Sequence, residues 1–203
     1  MPYEVTRRFE RALCEYTGAP FACAVNSCTA ALMLAVRWYV VNRMLPVPPV
    51  VCIPKRTYVS VPCAILHAGA TPVFSEDDWN GAYQLIPLLV WDSACRFTYG
   101  MYRHGEFQCV SFAARKILGA EQGGAILHDN AEADNWFRKM RFDGRTEGLA
   151  VANDSIDVIG HHAIMLPSVA ATLLVRLHHL PKHNDDLSGA SEYPDISQHP
   201  AFR

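Results

Sequence analysis

Three stretches of this chain combine residue types in ways that can do chemistry. The first is Cys109–Gly124, CVSFAARKILGAEQGG, where Lys116 is one of few lysines and sits in an apolar, glycine-bounded run. A partly desolvated lysine beside a cation, here Arg115 in sequence, loses part of its hold on a proton and can form a Schiff base with a carbonyl. A solvated loop lysine is the competing reading. The second is Leu89–Cys95, LVWDSAC, in which Asp92 directly follows an apolar run. An acid there lies at the carboxyl edge of a sheet, where α/β proteins place their sites; an aspartate that merely caps a turn would look the same. The third is Ala24–Leu32, AVNSCTAAL: a strand end, a small polar turn, then a helix start. Free N–H groups and the positive end of the helix dipole can hold a phosphate there, with the Ser27 and Thr29 hydroxyls as further donors. An ordinary N-cap is the alternative.

His161, His162, His178, His179, His183 and His199 invite a metal reading. Pro181 breaks any helix that would align His179 with His183, and no cysteine or acid completes a ligand set, so no metal is expected.

The positioning elements alternate. Helical periodicity covers Thr6–Tyr16, stopped by Gly18, then Thr29–Val41, Thr57–His67 despite Pro62, Ala131–Arg141 and Ser168–Leu180. Short apolar runs at Phe21–Val25, Val50–Ile53, Pro72–Phe74, Leu88–Trp91, Gln108–Phe112 and Ala125–Leu127 read as strands. Strands alternating with helices imply an α/β fold around a mostly parallel sheet. Residues 1–180 form one domain on this reading. The segment 181–203, rich in His, Asp, Ser and Pro and without periodicity, reads as an irregular C-terminal tail.

Composition narrows the function classes. Of 203 residues, 50% are hydrophobic and 19% charged, which excludes disorder of the whole chain. The net charge of −2, from 18 basic and 20 acidic residues, offers no basic stripe for nucleic acid. No apolar run reaches the ~20 residues a membrane helix needs, and the N-terminal MPYEVTRRFE lacks the apolar centre of a signal peptide. Seven cysteines without a C-x-x-C pair suit reduced thiols, so a cytoplasmic protein is expected.

Taken in order, FERALCEYTGAPFACAVNSCTAALMLAV, VCIPKRTYVSVPCAILHAGATPVF, VWDSACRFTYG, VSFAARKILGAEQGGAILHD and KMRFDG resemble the DegT/DnrJ/EryC1/StrS family of fold-type-I pyridoxal-phosphate enzymes, mostly sugar aminotransferases, over roughly residues 3–180. The resemblance implies that Lys116 is the Schiff-base lysine and that Asp92 pairs with the pyridinium nitrogen of pyridoxal 5'-phosphate. It implies that Tyr58 stacks on the ring, and that Ser27, the backbone at Cys28, Thr29 and Ser111 hold the phosphate. Cys95 stands where the family usually has Gln or His beside the cofactor, and Cys28 where it usually has Gly.

The departures shape the functional expectation. Only 18 residues separate Val73 from Asp92, where the family places a helix, a strand and a helix. In GHHAIMLPSVAATLLVRL, His162 replaces an Asn and Ile164 an Arg of a loop that reaches the neighbouring subunit's site in the family. The family's C-terminal small domain has no counterpart in these residues, so the expectation is a shortened enzyme working as a homodimer with shared sites, His162 near the partner's phosphate. Transamination is the activity the resemblance implies, on a small-molecule amine or amino acid. Loss of the Arg carboxylate clamp at Ile164 keeps decarboxylation open, with an amino acid linked to a nucleotide or to DNA as a substrate an opened cleft could admit. A non-catalytic relic is the remaining alternative.

Overall fold

The computed structural model describes residues 3–202. Helix α1 (Glu4–Thr17) buries Phe9 and Leu13 on one stripe and ends where Gly18 takes the left-handed conformation, its N–H closing on the Cys14 carbonyl at 2.9 Å. Strand β1 (Phe21–Val25) leads into α2 (Cys28–Val41), which is apolar almost all round because it is packed on several sides. Strand β2 (Val50–Pro54), helix α3 (Ser60–His67) and β3 (Thr71–Ser75) form a βαβ unit with parallel strands. Pro62 falls in the first turn of α3, where its missing N–H costs no helical bond. Then follow β4 (Tyr83–Leu85), β5 (Val90–Asp92), β6 (Phe107–Ser111), β7 (Gly124–His128), α4 (Ala131–Met140) and α5 (Pro167–His178).

The main sheet has the order β1-β7-β6-β5-β4, and only the β5–β6 pair in it is parallel. This corrects the expected mostly parallel arrangement: the α/β architecture stands, but the sheet is mixed. The cause is connection length. A parallel return needs a crossover of a dozen or more residues, and the turn at residues 86–89 between β4 and β5 is too short for one. The β6–β7 connection carries the Lys116 loop instead of a helix. Strand β4 has no counterpart among the expected runs, because Tyr-Gln-Leu is too short to show a period. No helix occupies the stretch between β3 and β5.

The sheet is the middle of three layers. Alternation along β6 sends Phe107 and Cys109 to one face, with α2 and α4, and Val110 to the other, with α1 and α5. Behind the end of β1 lies a buried ion network. Glu10 of α1 accepts from Ala24 N at 2.9 Å, from Arg138 at 2.9 Å and from Arg141; Arg141 also reaches the Ala24 carbonyl at 2.6 Å and Glu147 at 2.7 Å. Burial raises the Glu10 carboxyl, but Arg141 and Arg138 outweigh it and hold the acid below its ordinary range. The network pins β1, and therefore the turn into α2, to α1 and α4.

Candidate active site

Register decides which residues meet. Strands β5 and β6 are parallel, so Asp92 and Ser111 end at the same edge of the sheet. Strand β7 runs the other way and begins there, with Ser111 opposite Gly124. Strand β1 is antiparallel to β7, so Val25 also ends at that edge and delivers Ser27, which bridges Gly123. Tyr83, the first residue of β4, lies opposite Asp92. One edge thus collects the termini of all five strands of the sheet and the start of α2 around a cleft of about 740 Å³, a size suited to a cofactor or small ligand.

At the head of α2, the Ser27 hydroxyl accepts from Ala30 N at 3.1 Å, so the N-cap is real. The Cys28 and Thr29 N–H groups lie in the first turn, where a helix supplies no acceptor, so the capped end still presents donors to an anion. Cys28 is not among the residues with positive φ, so it takes the place without backbone strain, and its thiol turns inward to the Cys109 carbonyl at 3.6 Å. Thr29 donates to Ser60 at 2.9 Å. Gly124 is required here: a Cβ would stand 2.5 Å from Cys28 N.

Asp92 is buried. Its Oδ2 accepts from the Tyr83 hydroxyl at 2.9 Å and its Oδ1 from Ala94 N at 3.0 Å. Burial is the largest influence and pushes its carboxyl up; the Ala94 and Tyr83 bonds and the Lys116 charge offset only part of that. Thr57 bonds the same Tyr83 hydroxyl. Lys116 sits on a loop closed by Ala120 N on the Phe112 carbonyl at 2.8 Å, and the loop is tight enough that a Cβ on Gly119 would meet the Ala114 carbonyl at 2.7 Å. Its Nζ donates to Cys95 Sγ at 3.2 Å. Burial lowers the Lys116 amine, but charge and hydrogen bonding from Cys95, with Tyr193 and Asp92 beyond, raise it overall above its ordinary value.

Of the nine candidate residues, eight line this cleft: Ser27, Cys28, Thr29, Tyr58, Asp92, Cys95, Ser111 and Lys116. Tyr58 is largely exposed at its mouth. His162 is elsewhere, exposed and bonded to Asp143 at 2.9 Å. Arg115 also lines the cleft, without a partner among the described residues.

Residues 181–202 carry two short 3-10 turns and lie across the cleft. Leu187 N bonds the Cys95 carbonyl at 2.9 Å, Gly81 N the Ser188 carbonyl at 2.9 Å and Ala190 N the Trp79 carbonyl at 3.0 Å. Arg96 holds Asp186 with two bonds, of 2.9 and 2.6 Å. Leu187, Ser188, Glu192 and Tyr193 of this segment line the cleft with Trp79, and sequence reasoning missed all of them. A segment without periodicity gives no sign of what it packs against. Among the described residues no group of His, Cys, Asp and Glu is placed to hold a metal ion, and no helix is long and apolar enough to cross a membrane.

Residues 1–87 and 99–191 match the sequence profile of the DegT/DnrJ/EryC1/StrS aminotransferase family. The matched stretches include Lys116 and Ser111 but leave out 88–98, which holds Asp92 and Cys95; their place rests on the geometry above. The spore coat polysaccharide biosynthesis protein SpsC of Bacillus subtilis (strain 168) is 27% identical over 183 residues, covering 70% of this chain and 46% of that protein. Among solved structures, the putative sugar aminotransferase Spr1654 of Streptococcus pneumoniae in its PLP form is similar with a TM-score of 0.66 and 23% identity, over 87% of this chain and 59% of that one. PseC of Helicobacter pylori, an aminotransferase of pseudoaminic acid biosynthesis, gives 0.70 and 18% over 88% and 58%. DesV of S. venezuelae, in complex with a ketimine intermediate, gives 0.69 and 23% over 87% and 57%. The chain spans about half the length of its curated relative and under two thirds of each of these structures. At these identities the structural likeness establishes the fold, the large-domain arrangement of fold-type-I aminotransferases.

Proposed function

Because the chain belongs to the DegT/DnrJ/EryC1/StrS aminotransferase family, we propose that it binds pyridoxal phosphate through Lys116 and transfers an amino group between a small-molecule amine and a carbonyl compound. The observation that carries this reading is the convergence of Lys116, a buried Asp92, Ser111 and the head of α2 on one cleft. The donor set fits the cofactor: N–H and hydroxyl groups for a phosphate at one side, a buried acid for a ring nitrogen, and an amine for the aldehyde. Bound there, the cofactor would supply an electrophilic carbon and a ring that withdraws electrons from the substrate carbon.

The chain's own groups do the rest. Ser27, Thr29, Ser111 and the first N–H groups of α2 hold the phosphate. Asp92, fixed by Tyr83 and Ala94, faces the ring nitrogen as an anion and keeps a proton on it. Tyr58 covers one face of the ring. Lys116 Nζ would hold the cofactor at its aldehyde carbon, and the same amine would move the proton at the carbon bearing the amino group. Residues 3–180 serve as the cofactor-binding unit and 181–202 as a strap over its mouth.

The names of the relatives favour a sugar-linked carbonyl substrate, and amino transfer over the decarboxylation that Ile164 left open. A cytoplasmic homodimer completes the reading, with His162, exposed and outside its own cleft, reaching the partner's phosphate. Mixing Lys116→Ala with His162→Ala subunits should restore part of the activity; exchange of subunits without recovery would remove the shared-site element. The activity itself is tested by supplying the holoprotein with an amino donor such as glutamate and measuring the keto acid formed. Keto acid in step with loss of amine is expected, and release of CO2 without keto acid would overturn the aminotransferase reading.

A further inference from the structure

Cys95 Sγ is the meeting point of three polar groups from three places in the chain. Lys116 Nζ donates to it at 3.2 Å, the Ser188 hydroxyl donates to it at 3.0 Å, and the Tyr193 hydroxyl lies 3.7 Å away. The sulfur is almost fully buried. Burial also pushes the Tyr193 phenol up, which keeps its proton available for donation to the sulfur. Ser188 and Tyr193 both belong to the strap, and Tyr193 lies beyond residue 191, where the family match ends.

The strap is built to hold these two hydroxyls. The Tyr193 ring packs on Trp79 with centroids 5.5 Å apart, and Trp79 packs on Tyr83 at 4.9 Å, the residue that bonds Asp92. Arg56 donates to the Tyr193 carbonyl at 3.3 Å, and Lys55 pairs with Asp195 at 3.1 Å just after it. On the other side of Ser188, Arg96 clamps Asp186. Two glycines permit the close approach: a Cβ on Gly81 would stand 2.1 Å from the Asp186 carboxylate, and one on Gly189 2.5 Å from the Trp79 carbonyl. Such fastening on both flanks is more than a passive tail requires.

We propose that Ser188 and Tyr193 are positioning residues for Lys116, acting through Cys95: their hydroxyls fix the sulfur and its partial negative charge against the lysine amine, so the strap sets both the place and the proton affinity of the reactive nitrogen. Hydroxyls that donate to a sulfur stabilise negative charge on it, and negative charge there favours the protonated form of a neighbouring amine. Removing either hydroxyl lowers the proton affinity of Lys116. The other titratable or charged groups facing the amine are Asp92 from the end of β5, Cys28 from the head of α2, Arg115 beside it, and Glu121 and Glu192 at the mouth. None of these is altered by a change at Ser188 or Tyr193. The proposal rests on the reading of Lys116 as the reactive amine.

The test uses the protein without added cofactor. Lys116 is labelled with acetic anhydride across a pH series and read by peptide mass spectrometry, which gives the midpoint of its amine titration. Tyr193→Phe and Ser188→Ala should each lower that midpoint by about half a pH unit, with Tyr99→Phe, elsewhere under the strap, unchanged. In a Cys95→Ala background the Tyr193→Phe shift should vanish, since the coupling runs through the sulfur. A midpoint unmoved in both single variants, or a Tyr193→Phe shift that persists without Cys95, would overturn the proposal. If one variant fails to fold, the other still decides. Because this titration needs no cofactor, it stands apart from the aminotransferase reading, which a separate failure to form keto acid would strike.

Discussion

The ion network behind β1 and the cleft in front of it bury comparable chemistry and treat it in opposite ways. Behind, Glu10 is answered by two guanidiniums and a backbone N–H, and Arg141 by two carboxylates and a carbonyl. In front, Asp92 is buried with a phenol and one N–H but no cation in bonding contact, and Lys116 rests on a sulfur rather than a carboxylate. The carboxyl behind is held below its ordinary range, whereas the one in front is pushed above it. Full satisfaction makes the first region scaffold. Incomplete satisfaction leaves the second with free energy to gain from a ligand that brings a ring nitrogen and an aldehyde.

That contrast can be broken by substitution. Lys116→Ala should abolish amino transfer while leaving the urea unfolding midpoint near wild type, because its bond to sulfur contributes little to stability. Asp92→Asn should lower turnover by roughly 100-fold or more and leave stability at pH 7 equal or higher. The sign follows from its raised carboxyl: the charged form is disfavoured in the fold, so its stabilising contribution belongs to low pH and is lost as pH rises. A clear loss of stability in Asp92→Asn would show that the cleft is scaffold after all. Arg141→Met should do the reverse, costing about 3–5 kcal/mol in urea unfolding by stranding Glu10 and Glu147. A smaller effect concerns pH. Glu10 is held low, so it adds stability above the ordinary carboxylate range that is lost as pH falls through it. The stability of Glu10→Gln, measured by denaturant from pH 7 to pH 4, should therefore fall less steeply than that of the wild type. Cys28→Gly should have the smallest effect, about 1 kcal/mol or less from the glycine at the helix start, with cofactor affinity unchanged by equilibrium titration.

The same division explains what was legible in the sequence. That Lys116, Asp92 and Ser111 meet in one cleft could be anticipated because each follows or sits between apolar runs that register as strands, and the family resemblance set them in order. Helices α1, α2, α4 and α5 were readable from their periodicity and stops, such as Gly18. Strand direction was not: parallel and antiparallel neighbours carry the same apolar pattern, and only the three-residue β4 and the helix-free β6–β7 connection decide it. Ser188 and Tyr193 were invisible for another reason. The strap is held by particular carboxylates, carbonyls and close glycine approaches, and such fastening leaves no hydrophobic period.

The central claim is that the cleft is a cofactor site centred on Lys116, and one measurement addresses it directly. The purified protein is incubated with pyridoxal phosphate, reduced with borohydride, digested and mapped. The account predicts one pyridoxyl label per chain, on Lys116. A label on another lysine such as Lys55 or Lys139, or no label at all, would contradict it.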